Sequence, residues 1–443
     1  MSDERTDGPV TAGSLTNAAL FERANKVIPG GVNSPVRSFK GVGGTPYFVA
    51  RGQGARVWDV EGNEYLDLVQ SYGAVIAGHA HPKVVEAIQR AAVDGSSFGA
   101  PTEREVLLAE EITRRVPYCD KVRLTSSGTE ATMTAIRLAR AVTHRSTVVK
   151  FSGNYHGHSD SLLAGSGSGM VYLNPVRYDF SVPGPSGITP GADSDTVIET
   201  YNEVPELDDS VACVIVEPVA ANMGLVKPVE GFLEGLRQQC DEVGALLIFD
   251  EVITGFRLGW GGAQEIYQVR PDLTCFGKVI GGGLNIGALG GNSDLLDHLA
   301  PVGQVYQAGT LSGNPLATAA GLAVLDLLTP EVHEWITKQG EYLARGLRGA
   351  LAMAGIANVV TTAGPLVGLY LGSNTPTNFD EACDTDERLY AALFHAMLKR
   401  GVALAPGAYE VMFPGMAHGD RELDRIVEVA ADAAAEVAHA TTR

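Results

Sequence analysis

The chain has 443 residues, 45% of them hydrophobic, enough for a large buried core in two or three lobes. A formal net charge of -19 argues against a nucleic-acid or anionic-membrane partner, since both demand an excess of Lys and Arg; any phosphate must be held locally. Five scattered cysteines, Cys119, Cys213, Cys240, Cys275 and Cys383, contain no C-x-x-C pair, which fits neither a disulfide framework nor a zinc knuckle and points to a reducing compartment.

Residues 1–16 are polar and acidic with no apolar signal segment, and predict a disordered tail. Nowhere do about 18 uncharged apolar residues run together, so a cytoplasmic protein is expected. LFERANKVIPG has helical spacing and stops at Pro29-Gly30. PYFVARGQGARVWDVEGNEYLDL reads as two or three antiparallel strands turning at RGQG and EGN. From about His81, helical stretches (PKVVEAIQRAA, EREVLLAEEITRRV, TEATMTAIRLARAV, GFLEGLRQQCDEV) alternate with short apolar runs (KVRLT, STVVKF, ACVIVEP, ALLIFDE, LTCFGK). That alternation predicts an α/β fold, a mainly parallel sheet with helices on both faces. From near Gly321, LAVLDLL and EVHEWITKQGEYLARGLRGAL predict one long helical region. Strand-like GPLVGLYLG and GVALAP and a terminal helix follow.

Three places carry chemistry. In RLTSSGTEATM, a short strand enters Ser126-Ser127-Gly128-Thr129 at the start of a helix. That is an anion site by its N–H groups, and equally a capping box formed by Ser127 and Glu130. ALLIFDEV is a buried strand ending in Asp250-Glu251, where open parallel sheets bind ligands, although a structural ion pair gives the same pattern. ACVIVEPV repeats the arrangement with Glu217. The third place is TCFGKVIGGG. A Walker A loop fails there because Asp272 and Val279 stand where Gly and Ser or Thr are required, and no G-x-G-x-x-G can be drawn. Lys278 between apolar residues is a desolvated amine suited to Schiff-base formation; alone it reads as a lysine reaching the surface from a turn. An anion cup, a strand-end acid and a desolvated lysine are together what pyridoxal 5'-phosphate requires. Tyr155 or His156, in NYHGH, supplies an aromatic to stack on its ring. His156 with His158 and His79 with His81 lack the acidic or cysteine partners a metal site needs, so no metal is expected.

With these motifs in place, the chain resembles the fold-type I, class III pyridoxal-phosphate aminotransferases. The resemblance runs through GGVNSPVR, SFGAPTERE, SSGTEATM, YHGH, IFDEVITGFR, FGKVIGGG, QAGTLSGNPLA and LAPGAYE; GGVNSPVR and QAGTLSGNPLA point to the aminomutase branch. It implies a large cofactor-binding domain over 81–330, and a smaller α+β domain from 17–80 and 331–443. It implies that Lys278 bonds the cofactor covalently and shuttles protons, and that Asp250 pairs with the ring nitrogen. Ser127, Gly128 and Thr129 would hold the phosphate, Tyr155 would lie against the ring, and Glu217 and Asn222 would surround the cofactor. Thr310 would reach the phosphate of a neighbouring subunit, so a homodimer with shared sites is implied. Ser34 and Arg37 would face a substrate carboxylate, with Tyr72, Ser168 and Glu410 nearby. A Gly/Ser/Pro-rich stretch from about His158 to Ile188 corresponds to a mobile lid. The implied reaction converts glutamate-1-semialdehyde to 5-aminolevulinate, a tetrapyrrole precursor, with the cofactor alternating between pyridoxal and pyridoxamine 5'-phosphate. The family usually has Trp at Tyr72, Pro-Val at Asn285-Ile286, and a lysine near Gly165. The alternative readings are an aminotransferase with a separate keto acid, and a cofactor-binding protein without turnover.

Overall fold

A computed structural model describes residues 15–163, 165–166, 187–189, 191 and 194–441. The expected tail lies outside the described residues as far as 14, and so does most of the expected lid, Ser168 included. Thr16, grouped with the tail by composition, instead caps the helix Asn17–Val27, its Oγ1 accepting the Ala19 N–H at 3.1 Å.

Three strands follow, β1 (Val49–Gln53), β2 (Arg56–Asp59) and β3 (Glu64–Asp67), antiparallel in sequence order as their turn residues require. A seven-stranded sheet is built from β4 (Lys121–Thr125), β5 (Thr147–Phe151), β6 (Thr196–Glu199), β7 (Val211–Val216), β8 (Leu246–Asp250), β9 (Leu273–Phe276) and β10 (Gly287–Gly291). Its order is β4-β10-β9-β8-β7-β5-β6, parallel except that β10 runs against both neighbours. Because side chains alternate along a strand, Cys213, Ile215 and Ile248 pack on one face against Ala131, Ala135 and Leu138. Val214, Val216, Leu247 and Phe249 pack on the other against Phe232, Leu233 and Leu236. Both faces are covered, which is why β7 and β9 are buried at every position and read as unbroken apolar runs.

Two strands of the large sheet escaped the sequence reading. β6 is short and half-buried. β10 is GALGG, a composition that signals a loop, yet its glycines answer to packing. A Cβ at Gly290 would sit 2.6 Å from Cys119 Sγ, one at Gly291 2.8 Å from the Asp272 carbonyl, and one at Gly287 against the Ser127 carbonyl.

The long helical region expected after Gly321 is two helices, Pro315–Leu327 and Pro330–Met353, bent by 81° at the break. Thr329 caps the second and Pro330 occupies its first turn, where a missing N–H does no harm. Among the described residues no single helix is long and apolar enough to cross a membrane. The chain then forms β11 (Val359–Ala363), β12 (Leu366–Tyr370) and β13 (Val402–Ala403). β13 pairs in parallel with β3, Val402 opposite Leu66, and one apolar cluster joins Phe39, Leu66 and Leu68 to Leu343, Phe394 and Leu423. The two ends of the chain thus share a core.

Candidate active site

Five parallel strands end on one edge of the large sheet, and each hands a polar segment to it. β4 leads into Ser126–Thr129, β5 into Gly153–His156, β7 into Glu217, β8 ends on Asp250, and β9 leads into Gly277-Lys278. They surround a cavity of about 370 Å³, a volume suited to a cofactor with its substrate. Ser127, Gly128 and Thr129 line it, as do Tyr155, Glu217, Asn222, Asp250 and Lys278. Asn285 and Ile286 also face it.

The anion cup and the capping reading coexist. Ser127 Oγ accepts the Glu130 N–H at 3.2 Å, while the Glu130 carboxylate reaches one residue beyond the cap and accepts the Ser126 N–H at 2.9 Å. The N–H groups of Gly128 and Thr129, first in a helix of 16 residues, have no acceptor within the helix and sit at its positive end. A Cβ on Gly128 would lie 3.0 Å from the Val252 side chain, a tighter contact than side chains usually make, so glycine suits the position.

Asp250 is held from both sides. Its Oδ1 accepts the Val252 N–H at 3.0 Å, and its Oδ2 lies 2.8 Å from His156 Nδ1. His156 is wholly buried, and that burial pushes its pKa down in spite of the carboxylate. Its carbonyl accepts the Thr132 hydroxyl at 2.6 Å, fixing the ring's approach. His156, a candidate from sequence for stacking or for metal, contacts the acid instead, and a residue 94 positions away cannot be paired with Asp250 from spacing.

Glu217 accepts the Tyr155 N–H at 2.7 Å, the Asn222 amide at 2.8 Å and the Ala221 N–H at 2.8 Å. Burial and the neighbouring Asp250 charge nevertheless push it up to about 7. Lys278 lies just beyond β9, at φ 46, in a tight turn. Desolvation pulls its amine down to about 8, opposed by the Glu410 and Glu217 carboxylates and assisted by Arg257. Arg257 is buried, donates to the Gly73 carbonyl and lies 5.2 Å from the Phe413 ring centre. Composition gave no sign of it.

The residues expected to meet substrate form a looser group. Ser34 is half-buried and Arg37 exposed, on the turn Pro35–Arg37. Tyr72 donates to the Val36 carbonyl at 2.7 Å, and burial with the Glu410 charge raises its hydroxyl pKa well above the ordinary value. The Glu410 charge thus acts on both Lys278 and Tyr72. Thr310 is exposed, does not line the cavity, and sits beside exposed Leu311 and Tyr306. Ser71, which the sequence reading passed over, lines the cavity next to Tyr72. A positively polarised helix end, a strand-end carboxylate and a desolvated amine around one cavity fit a phosphorylated aldehyde with a protonatable ring.

The chain matches the family "Aminotransferase class-III" over residues 39–433. It is 50% identical over 420 residues to the glutamate-1-semialdehyde 2,1-aminomutase of Bordetella avium (strain 197N), covering 93% of this chain and 97% of that protein. Among solved structures it resembles an omega-transaminase from Sphaerobacter thermophilus, with TM-score 0.88 and 33% identity over 98% of this chain and 100% of that one. It also resembles a lysine-to-alanine variant of a Pseudomonas aeruginosa PAO1 glutamate-1-semialdehyde-aminomutase in complex with PMP. There the TM-score is 0.82 and the identity 28%, over 95% of this chain and 94% of that one.

Proposed function

The chain belongs to the class-III aminotransferases, and from that premise we propose that it converts glutamate-1-semialdehyde to 5-aminolevulinate, moving an amine within one substrate. The observation that carries this reading is identity at one position in two, across 93% of the chain, with a protein bearing that activity's name. Pyridoxal 5'-phosphate, alternating with its pyridoxamine form, supplies a carbonyl carbon that takes and returns the amine and a ring that accepts electrons.

The chain's own residues do the rest. Gly128 and Thr129 N–H groups with the Ser127 hydroxyl bind the phosphate at the helix end. Asp250, oriented by His156, would hold a proton on the ring nitrogen, and Tyr155 would supply an aromatic beside the ring. Asn222 and Glu217 fix the cofactor's polar edge. Lys278, partly uncharged near neutral pH, would be the amine that holds the cofactor and the group that moves protons during the exchange. Arg37 and Ser34 take the substrate carboxylate, with Tyr72 and Glu410 beside it.

The same reading makes the protein a cytoplasmic homodimer in which Thr310 reaches the neighbouring subunit's phosphate site. The exposed Val302, Tyr306 and Leu311 around it supply an apolar loop for such a contact. It also divides the chain into a large domain, 81–330, and a smaller one from 17–80 and 331–443, supported by the pairing of β13 with β3.

Supplied with glutamate-1-semialdehyde alone, the purified protein is expected to form 5-aminolevulinate continuously. A strict need for an added amino donor or keto acid would contradict the proposal. It would favour a second reading, a transaminase with separate substrates, which the likeness to the omega-transaminase supports.

A further inference from the structure

Four consecutive residues, Gln70, Ser71, Tyr72 and Gly73, have positive φ (46°, 55°, 53° and 91°), three of them with side chains that resist that conformation. The turn keeps this shape because its surroundings over-determine it. Gln70 Nε2 donates to the Asp67 carbonyl at 3.0 Å, the Val75 N–H returns to the Gln70 carbonyl at 3.3 Å, and buried Arg257 donates to the Gly73 carbonyl. A Cβ on Gly73 would strike the Phe413 ring at 2.7 Å. The consequence is directional: Ser71 faces the cavity, and Tyr72 points back to the turn Pro35–Arg37.

That second turn is short and carries its charge on an exposed side chain. The Arg37 N–H bonds the Ser34 carbonyl at 3.0 Å and the Ser38 N–H bonds the Pro35 carbonyl at 3.0 Å, so the segment is one compact unit. The Tyr72 hydroxyl grips it at the Val36 carbonyl, 2.7 Å away. The Arg37 and Glu410 charges both act on that phenol, so the turn that carries Arg37 lies within electrostatic reach of the Tyr72 hydroxyl.

We infer that Tyr72 is a positioning residue for substrate specificity: its hydroxyl fastens the Arg37-bearing turn to the rigid left-handed turn of the cavity wall, fixing where a substrate carboxylate is received. The inference rests on the proposed carboxylate role of Arg37 and deepens it. A flexible arginine must be ordered at the moment of binding, whereas one on a tethered turn loses less freedom.

The test is a binding cycle on the holoenzyme with 5-aminolevulinate and with aminoacetone, an amino ketone lacking the carboxylate arm. Tyr72→Phe should weaken 5-aminolevulinate about fivefold, the effect of losing one hydrogen bond, and leave aminoacetone unchanged. In an Arg37→Ala background the same substitution should add nothing, because the tether acts through Arg37. In turnover the loss should fall on KM rather than kcat. Equal weakening of both ligands, no weakening of either, or losses that add in the double variant would each overturn the tether. A wild-type protein with no preference for 5-aminolevulinate over aminoacetone would overturn the carboxylate reading and the tether together. A preference that Tyr72→Phe leaves intact removes the tether alone.

Discussion

The floor of the cavity and its mouth are built by opposite means. Asp250, Glu217 and His156 sit at or just past strand ends, buried, each tied by hydrogen bonds to its surroundings. The mouth proposed to receive substrate, Arg37, Tyr72 and Glu410, is drawn from segments far apart in the chain, and Arg37 is exposed. A floor fixed by a parallel sheet can be shared by many reactions of one cofactor, while the mouth decides which substrate reacts. Floor substitutions should therefore act on chemistry, and mouth substitutions on affinity.

Lys278→Ala gives the largest expected effect: turnover is lost, and borohydride no longer fixes cofactor to the chain, as read by mass spectrometry of the intact protein. Retained covalent attachment would place the nucleophile elsewhere. Asp250→Asn should lower kcat about a hundredfold or more with KM little moved, since an amide cannot hold the ring proton and preorganised charge contributes on that scale. Arg37→Ala should do the reverse, raising KM about tenfold to a hundredfold through loss of a charged hydrogen bond while sparing kcat. If the Arg37 variant lost kcat instead, the division between floor and mouth would fail.

Two smaller effects concern pH. With its amine drawn down to about 8, Lys278 of the apoprotein should combine with pyridoxal 5'-phosphate faster as pH rises, half-maximally near that value. A midpoint at the ordinary lysine pKa of about 10.4 would show that burial does not tune it. Lys150 is wholly buried on β5, donating to the Leu162 carbonyl at 2.9 Å and to Ser166 at 3.2 Å, and is pulled from 10.5 down to about 7. Between those values the unfolded chain binds a proton that the folded chain does not, so this lysine's contribution to stability rises with pH across that window. The Tm of wild type minus that of Lys150→Met should climb from pH 7 to 10; a flat difference would mean that Lys150 keeps its charge when folded.

Most of the floor was legible because its signals are local. An apolar run ending in Asp250, a capped helix at SSGT and a lysine after LTCFG each state their position through a few neighbouring residues. β10 was not legible, since GALGG obeys contacts with Cys119 and Asp272 that only the folded sheet creates. Nor was the pairing of His156 with Asp250, or the buried Arg257 on the Gly73 carbonyl, because both join segments distant in sequence. The break before Pro330 carried a readable signal, a threonine followed by proline, outweighed by the helical pattern on either side. The mouth was named only by family resemblance. Nothing in SYGA announces a left-handed turn, and composition does not tell Tyr72 to reach Val36.

The central claim is that one substrate supplies and receives the amine over a floor common to the family. It is tested most directly by giving the enzyme glutamate-1-semialdehyde with an isotopically labelled amine, in the presence of excess unlabelled glutamate and alanine. After many turnovers the 5-aminolevulinate should carry undiluted label, because the amine left on the cofactor returns only to the next molecule of the same substrate. Progressive dilution by the unlabelled amino acids would contradict the claim and identify a transaminase with separate donor and acceptor.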